Sequence, residues 1–158
     1  MKTLVLYDSV FGNTEKVALA LAEVFAEQGP CEAVKAADFA PSRLAGVGRL
    51  AVGSPTRAFR PTPALVAQLD ALPPGALAGI DVLAFDTRAW IEKAPGILRF
   101  FAGLFGYAAD PIAKRLLKKG GRLVLPPAGF VVADSEGPLL EGELARAAAW
   151  VHSAPASR

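Results

Sequence analysis

A chain of 158 residues, 53% hydrophobic and 20% charged, is the size of one domain and carries enough apolar material for a proper core, which excludes intrinsic disorder. Its single cysteine, Cys31, and single histidine, His152, exclude an internal disulfide, a multi-thiolate metal site and a His-centred triad. The net charge of +2 is too small to point to nucleic acid, and charges such as Asp81 and Arg99 keep every apolar stretch below the ~18 to 20 residues that span a bilayer; with no secretory core between Lys2 and Asp8, a soluble cytoplasmic protein is expected.

Taken in chain order, Thr3 to Tyr7 is a continuous apolar run of strand formers, the pattern of a strand buried on both faces. Val17, Ala18, Leu21, Val24 and Phe25 then follow the helical period, and Gly29-Pro30 stops the helix. Cys31 to Lys35 reads as a second strand, Pro41-Ser42 opens a short helix or loop, and Arg49 to Gly53 reads as a third buried strand. Thr62-Pro63 is an N-cap followed by proline at the first helical position, with Leu65, Val66, Leu69 and Leu72 as the apolar stripe and Pro73-Pro74-Gly75 as the end. Ile80 to Phe85 is the fourth strand. Asp110-Pro111 starts a helix carrying Ile112, Leu116 and Leu117, closed by Lys118, Lys119 and Gly120. Arg122 to Leu125 is the fifth strand, and Gly137-Pro138 opens a last helix with Leu144, Ala148 and Val151 on one side.

Strands alternating with helices imply a parallel sheet covered on both faces, with ligands bound beyond the carboxyl ends of its strands where the winding reverses. Three loops therefore carry the functional question: 8 to 14, 54 to 62, and 87 to roughly 109. In the first, Ser9, Asn13 and Thr14 surround Gly12 at the start of a helix, where unpaired N–H groups favour a phosphate, although ordinary N-capping uses the same residue types. The lysine of a nucleoside-triphosphate loop is missing.

The run Leu4-Val5-Leu6-Tyr7-Asp8-Ser9-Val10-Phe11-Gly12-Asn13-Thr14-Glu15-Lys16-Val17-Ala18 resembles the amino-terminal signature of the flavodoxin family. Gly53 to Pro63 is similar to that family's loop against the isoalloxazine, Phe85-Asp86-Thr87-Arg88 to the start of its third flavin loop, and Phe130-Val131-Val132 with Glu136-Gly137-Pro138-Leu139 to the ending of many small bacterial members. Response-regulator receivers use the same strand order. They need acidic and lysine residues where this chain has Ser54-Pro55 and Pro126-Pro127.

The resemblance implies an α/β, three-layer doubly wound sandwich with a five-stranded parallel sheet of order 2-1-3-4-5, formed by one domain over residues 1 to 158 with an extended third loop at about 88 to 109. It implies FMN as cofactor. Ser9, Gly12, Asn13 and Thr14 would hold the phosphate; Thr56, Arg57, Ala58 and Phe59 would flank the ring on one side, and Thr87, Arg88 and Trp90 on the other, with Val10, Phe11 and Pro55 of the same loops also binding the cofactor. Phe59 and Trp90 are the candidate flat walls. The flavin would carry the chemistry, so no side chain is assigned a catalytic role and no metal is expected.

Three features depart from the family. Net charge by segment is −3 over residues 1 to 40, +7 over 41 to 128 and −2 over 129 to 158, whereas carrier flavodoxins are acidic. Arg57, Arg60, Arg88 and Lys93 lie within or beside the flavin loops, and a cation about 8 Å from an anionic reduced flavin would favour it by roughly 2 kcal/mol at an effective dielectric of 20. Ser54 to Pro63 contains no glycine, the residue at which members that hold a one-electron state flip a peptide, so two-electron chemistry gains ground. Within the long third loop, Ile97, Leu98, Phe101, Leu104 and Phe105 share a helical face, fit to lid the flavin, pair two copies, dock a partner or pack on its own domain. The expected function is electron transfer between redox partner proteins that dock at the basic loops or the 96 to 109 segment. The alternatives are an FMN-dependent oxidoreductase acting on a quinone, a porphyrinogen or a nicotinamide nucleotide, and a module of this fold that binds no flavin. Cys31 is expected to be a buried small side chain, His152 to lie on the surface, and Asp134 and Glu136 to belong to a turn and the start of the last helix.

Overall fold

The computed structural model describes residues 1–90 and 94–156, apart from the side chain of Phe105. Among the described residues six strands form one sheet: β1 (Lys2–Tyr7), β2 (Cys31–Lys35), β3 (Val47–Pro55), β4 (Asp81–Ala89), β5 (Arg122–Leu123) and β6 (Ala128–Val132). Their order is β2-β1-β3-β4-β5, with β6 also paired to β4, and every pairing between them is parallel. The α-helices among the described residues are α1 (Asn13–Ala26), α2 (Pro63–Asp70), α3 (Gly96–Phe105), α4 (Ala109–Lys118) and α5 (Glu143–His152), and short 3-10 helices lie at Ala36–Asp38 and Pro41–Leu44. The expected doubly wound sandwich and strand order are the ones observed.

The strands are apolar without alternation because both faces are covered. Leu4 and Leu6, Leu50 and Val52, and Val82 and Ala84 pack with Leu65 and Leu69 of α2 and Ile112 and Leu116 of α4. Their neighbours along the same strands, Val5 and Tyr7, Ala51, and Leu83 and Phe85, face the opposite way, onto Val17, Leu21 and Phe25 of α1 and Ala147 and Val151 of α5. The two-residue period of a strand thus divides one apolar run between two cores.

The carboxyl-terminal third departs from expectation. The fifth strand stops at Leu123 instead of Leu125 and is followed by β6, which the sequence pattern did not reveal; both lie against β4, at Asp81–Val82 and at Phe85–Ala89. Pro126 and Pro127 lie between them, and residues without a backbone N–H cannot continue a ladder. The last helix begins at Glu143, not at Gly137-Pro138. Residues 138 to 140 run back along β6, with Ala133 N–H donating to Pro138 O and Leu140 N–H to Val131 O, so the intervening chain is committed before a helix can start. The 96 to 105 segment is helical as its periodicity predicts, and it leaves Ile97, Leu98, Phe100 and Leu104 exposed. Among the described residues no helix is long and apolar enough to cross a membrane.

Candidate functional site

Strand order reverses between β1 and β3, and a cleft of about 440 Å³ opens there beyond the carboxyl ends of the strands. At one end stands the amino terminus of α1. Gly12 sits at its N-cap with φ 91°, a left-handed conformation that glycine adopts without steric cost. Ser9 Oγ accepts the N–H groups of Gly12 (3.2 Å) and Glu15 (3.3 Å), so the hydroxyl keeps its own proton to donate. The first-turn amides of Asn13 and Thr14 have no acceptor within the helix and lie at the positive end of its dipole.

The side chains of Asn13 and Thr14 tie this helix end to other loops. Asn13 Nδ2 donates to Glu136 O at 3.0 Å, and the buried Thr14 hydroxyl lies 2.7 Å from that of Thr87. Asp8 accepts the Ser9 N–H on Oδ1 at 2.9 Å and the Thr62 hydroxyl on Oδ2. Thr62 does precede α2, but its hydroxyl reaches Asp8 and makes no side-chain cap. Nearby, the Tyr7 phenol donates to Glu15 at 2.9 Å, and burial together with that carboxylate pushes its pKa up to about 12.

The second loop is a hairpin turn. Arg57 and Arg60 exchange backbone hydrogen bonds of 2.8 and 2.9 Å, and Ala58 and Phe59 between them have φ of 47° and 66°, the signature of a type I′ turn. It is anchored by Thr56 N–H to Thr87 O (2.8 Å), Ala108 N–H to Thr56 Oγ1 (3.0 Å) and Thr62 N–H to the buried Ser54 hydroxyl (2.9 Å). The Arg57 guanidinium lies 5.6 Å from the Phe11 ring centroid.

Across the cleft, Arg88 grips Asp86. Nε meets Oδ1 and Nη2 meets Oδ2, both at 2.7 Å, and Asp86 is wholly buried. Burial raises the Asp86 pKa, against the opposing pull of Arg88 and of the Ala109 amide. Arg88 is therefore a neutralised partner and not the uncompensated cation that its position beside the loop implies. Arg57 and Arg60 make no ion pair among the described residues; Lys93 lies outside those residues.

No family model matches the sequence, and no curated protein matches it. The likeness lies in three dimensions. Rubredoxin oxygen:oxidoreductase from the anaerobe Desulfovibrio gigas superposes with a TM-score of 0.75 at 20% identity, over 97% of this chain and 35% of its own. Oxidised flavodoxin 2 from Bacillus cereus gives 0.75 at 19% identity over 96% of each chain, and a flavodoxin from the domain Archaea gives 0.66 at 19%, over 95% of this chain and 93% of its own. The chain has the flavodoxin fold. It matches nearly the whole of those two flavodoxins and about a third of the longer Desulfovibrio gigas protein.

On this flavodoxin fold, the cleft is lined by Ser9, Val10, Phe11, Asn13 and Thr14 from the first loop, Pro55, Thr56, Arg57 and Ala58 from the second, and Thr87 and Arg88 from β4. Gly12 lines a smaller neighbouring cavity with Asp8, Ser9, Val10, Glu15 and Lys35. The expected aromatic walls do not line the cleft: Phe59 is half-buried at the hairpin tip, and Trp90 continues the ladder by donating its N–H to Val132 O at 3.1 Å. Ala89, Val132 and Ser135 line it unforeseen. Ser135 belongs to the turn expected at Asp134 to Glu136, and that turn closes one side of the site through the Asn13 to Glu136 hydrogen bond. A hydrophilic turn carries no periodic signal that would place it at a distant helix end.

Proposed function

We propose that the cleft binds FMN and that the protein passes reducing equivalents between redox partners. One observation carries the reading: the positive end of α1, with Gly12 left-handed and the Ser9 hydroxyl free to donate, opens into a cleft shared by the ends of β1, β3 and β4. The residues present fit the two halves of such a ligand. The amides of Asn13 and Thr14 and the Ser9 hydroxyl would hold the phosphate without a cation. Val10, Phe11, Pro55, Ala58, Ala89 and Val132 would offer the planar ring an apolar slot whose volume lies within the range of cofactor pockets. FMN supplies one- or two-electron chemistry when bound; the chain's own residues bind it, orient it and exclude water.

A second reading is an FMN-dependent oxidoreductase. Arg57 and Arg60, exposed at the rim without a carboxylate partner among the described residues, give the mouth of the cleft a positive field that suits an anionic substrate such as a nicotinamide nucleotide. The same rim would attract an acidic redox protein.

Titration with FMN tests the cofactor. Flavin fluorescence should quench with 1:1 stoichiometry, and Gly12→Val, which forces a β-branched residue into the left-handed cap, should weaken binding by an order of magnitude or more, equivalent to ~1.4 kcal/mol. A protein that stays colourless with excess FMN would sink both redox readings. Rapid reduction by a nicotinamide nucleotide without a second protein would favour the enzyme over the carrier.

A further inference from the structure

The Arg88 side chain is confined more tightly than an ion pair requires. Asp86 holds one edge of its guanidinium through two parallel hydrogen bonds of 2.7 Å, and Asp86 is itself fixed by the Ala109 amide at 3.0 Å. The Tyr107 ring stacks on one face, its centroid 3.7 Å from Cζ. Gly129 of β6 also lies against the guanidinium, where a Cβ would come to 2.0 Å from Cζ and Nε. The side chains of Asp86 and Tyr107 and the backbone of Gly129 thus converge on one planar group, and the period of β4 brings Asp86 and Arg88 to the same face of the strand.

Burying a carboxylate to meet an arginine is a poor route to stability, since a packed apolar pair does as well or better. Immobilising an arginine also forfeits most of its rotamer freedom. What the arrangement achieves is direction. With Nε and one N–H of Nη2 engaged, the donors left to Arg88 are on its Nη1 edge, and Arg88 lines the cleft beside Thr87, Ala89 and Val132. Because the pair is neutral overall, this edge recognises by the geometry of its hydrogen bonds and not by net charge.

We infer that Arg88 recognises the ring half of the cleft's occupant, its Nη1 edge donating to a carbonyl or anionic atom on the rim of a planar heterocycle, with Asp86, Tyr107 and Gly129 as positioning residues. The inference rests on the FMN reading. Thr87, the neighbour of Arg88, turns the other way to meet Thr14 at the phosphate end, which leaves Arg88 for the ring.

Paired titrations with FMN and with riboflavin, which lacks the phosphate, test it by fluorescence quenching and by the visible spectrum of the bound flavin. The variants are Arg88→Lys, Gly129→Ala and the double variant Asp86→Asn/Arg88→Gln, with apo-protein melting curves to establish folding. The double variant leaves no buried charge unpaired. Each should weaken both ligands by the same factor, about ten-fold or more, as the loss of a charge-assisted hydrogen bond implies, and shift the visible band. Lysine should not rescue, because it lacks the planar fork. Unchanged affinity for both ligands in the folded variants would overturn the inference, and so would a loss confined to FMN, which would assign Arg88 to the phosphate. A wild-type protein that binds neither ligand would overturn the FMN reading and the inference with it.

Discussion

Ala58 and Phe59 occupy backbone conformations that favour glycine and asparagine. A non-glycine residue there costs on the order of 1 to 3 kcal/mol and persists only where its surroundings over-determine it. The surroundings here do so, since the turn is anchored at Thr56, Ser54 and Thr62. Ala58→Gly should relieve that strain while loosening the unfolded chain, for a net gain of about 1 kcal/mol. Urea unfolding should show a higher midpoint with an unchanged slope; an unchanged or lower midpoint would mean that the turn is not strained. This conformation was illegible in the letters, because Arg-Ala-Phe-Arg carries none of the Asn-Gly signal of a type I′ turn. Thr62 was half-legible: its place before α2 could be read, whereas its engagement with Asp8 is a contact across 54 residues. The pairing of Arg88 with Asp86 was within reach, since residues two apart on a strand share a face.

At the scale of elements, α5 is fastened to β6 by one carboxylate. Glu143 Oε2 accepts the Val131 N–H at 2.7 Å, and both its oxygens engage Arg146, which also reaches Gly129 O and lies over the Phe130 ring. The hydrogen bond from Arg146 is the main cause that holds the Glu143 pKa below the usual carboxylate range. A carboxyl group depressed in the folded state adds stability in full above its unfolded pKa, about 4.3. That stability is lost as pH falls through the depressed folded value. Glu143→Gln should therefore cost about 1 to 2 kcal/mol at pH 7, and the difference from wild type should shrink towards pH 3, read from denaturant midpoints at the two pH values. A difference that stayed constant with pH would assign the loss to packing. Helices and buried strands were legible wherever one periodicity ran unbroken, as in β1, β3, β4 and α1. Legibility failed after Leu123, where Pro126-Pro127 divides one strand position between β5 and β6 and the chain doubles back before α5.

For the whole molecule, the segment sum of +7 does not locate the field at the site, because a net count is unchanged by pairing and does not say which cations are the paired ones. Asp70, Asp81 and Asp86 each meet an arginine of that same segment, at Arg115, Arg122 and Arg88. The site is instead defined by connection, its loops being laced to one another by Asp8 N–H to Gly53 O, Thr56 N–H to Thr87 O, Thr14 to Thr87 and Asn13 to Glu136. A ligand spanning those loops touches segments that continue into β1, β3, β4 and β6, so it cannot remain bound once the sheet opens. Its binding energy then adds to global stability by mass action. With FMN at a hundred times its dissociation constant, the gain is about 2.7 kcal/mol, which for a chain of this length raises the melting temperature by roughly 5 to 11 °C. Calorimetry over a series of FMN concentrations should show the transition moving upward with the logarithm of ligand as a single peak. A melting temperature indifferent to ligand that is demonstrably bound would mean that the site opens before the sheet does. A second peak that alone responds would place the laced loops in a separate unfolding unit.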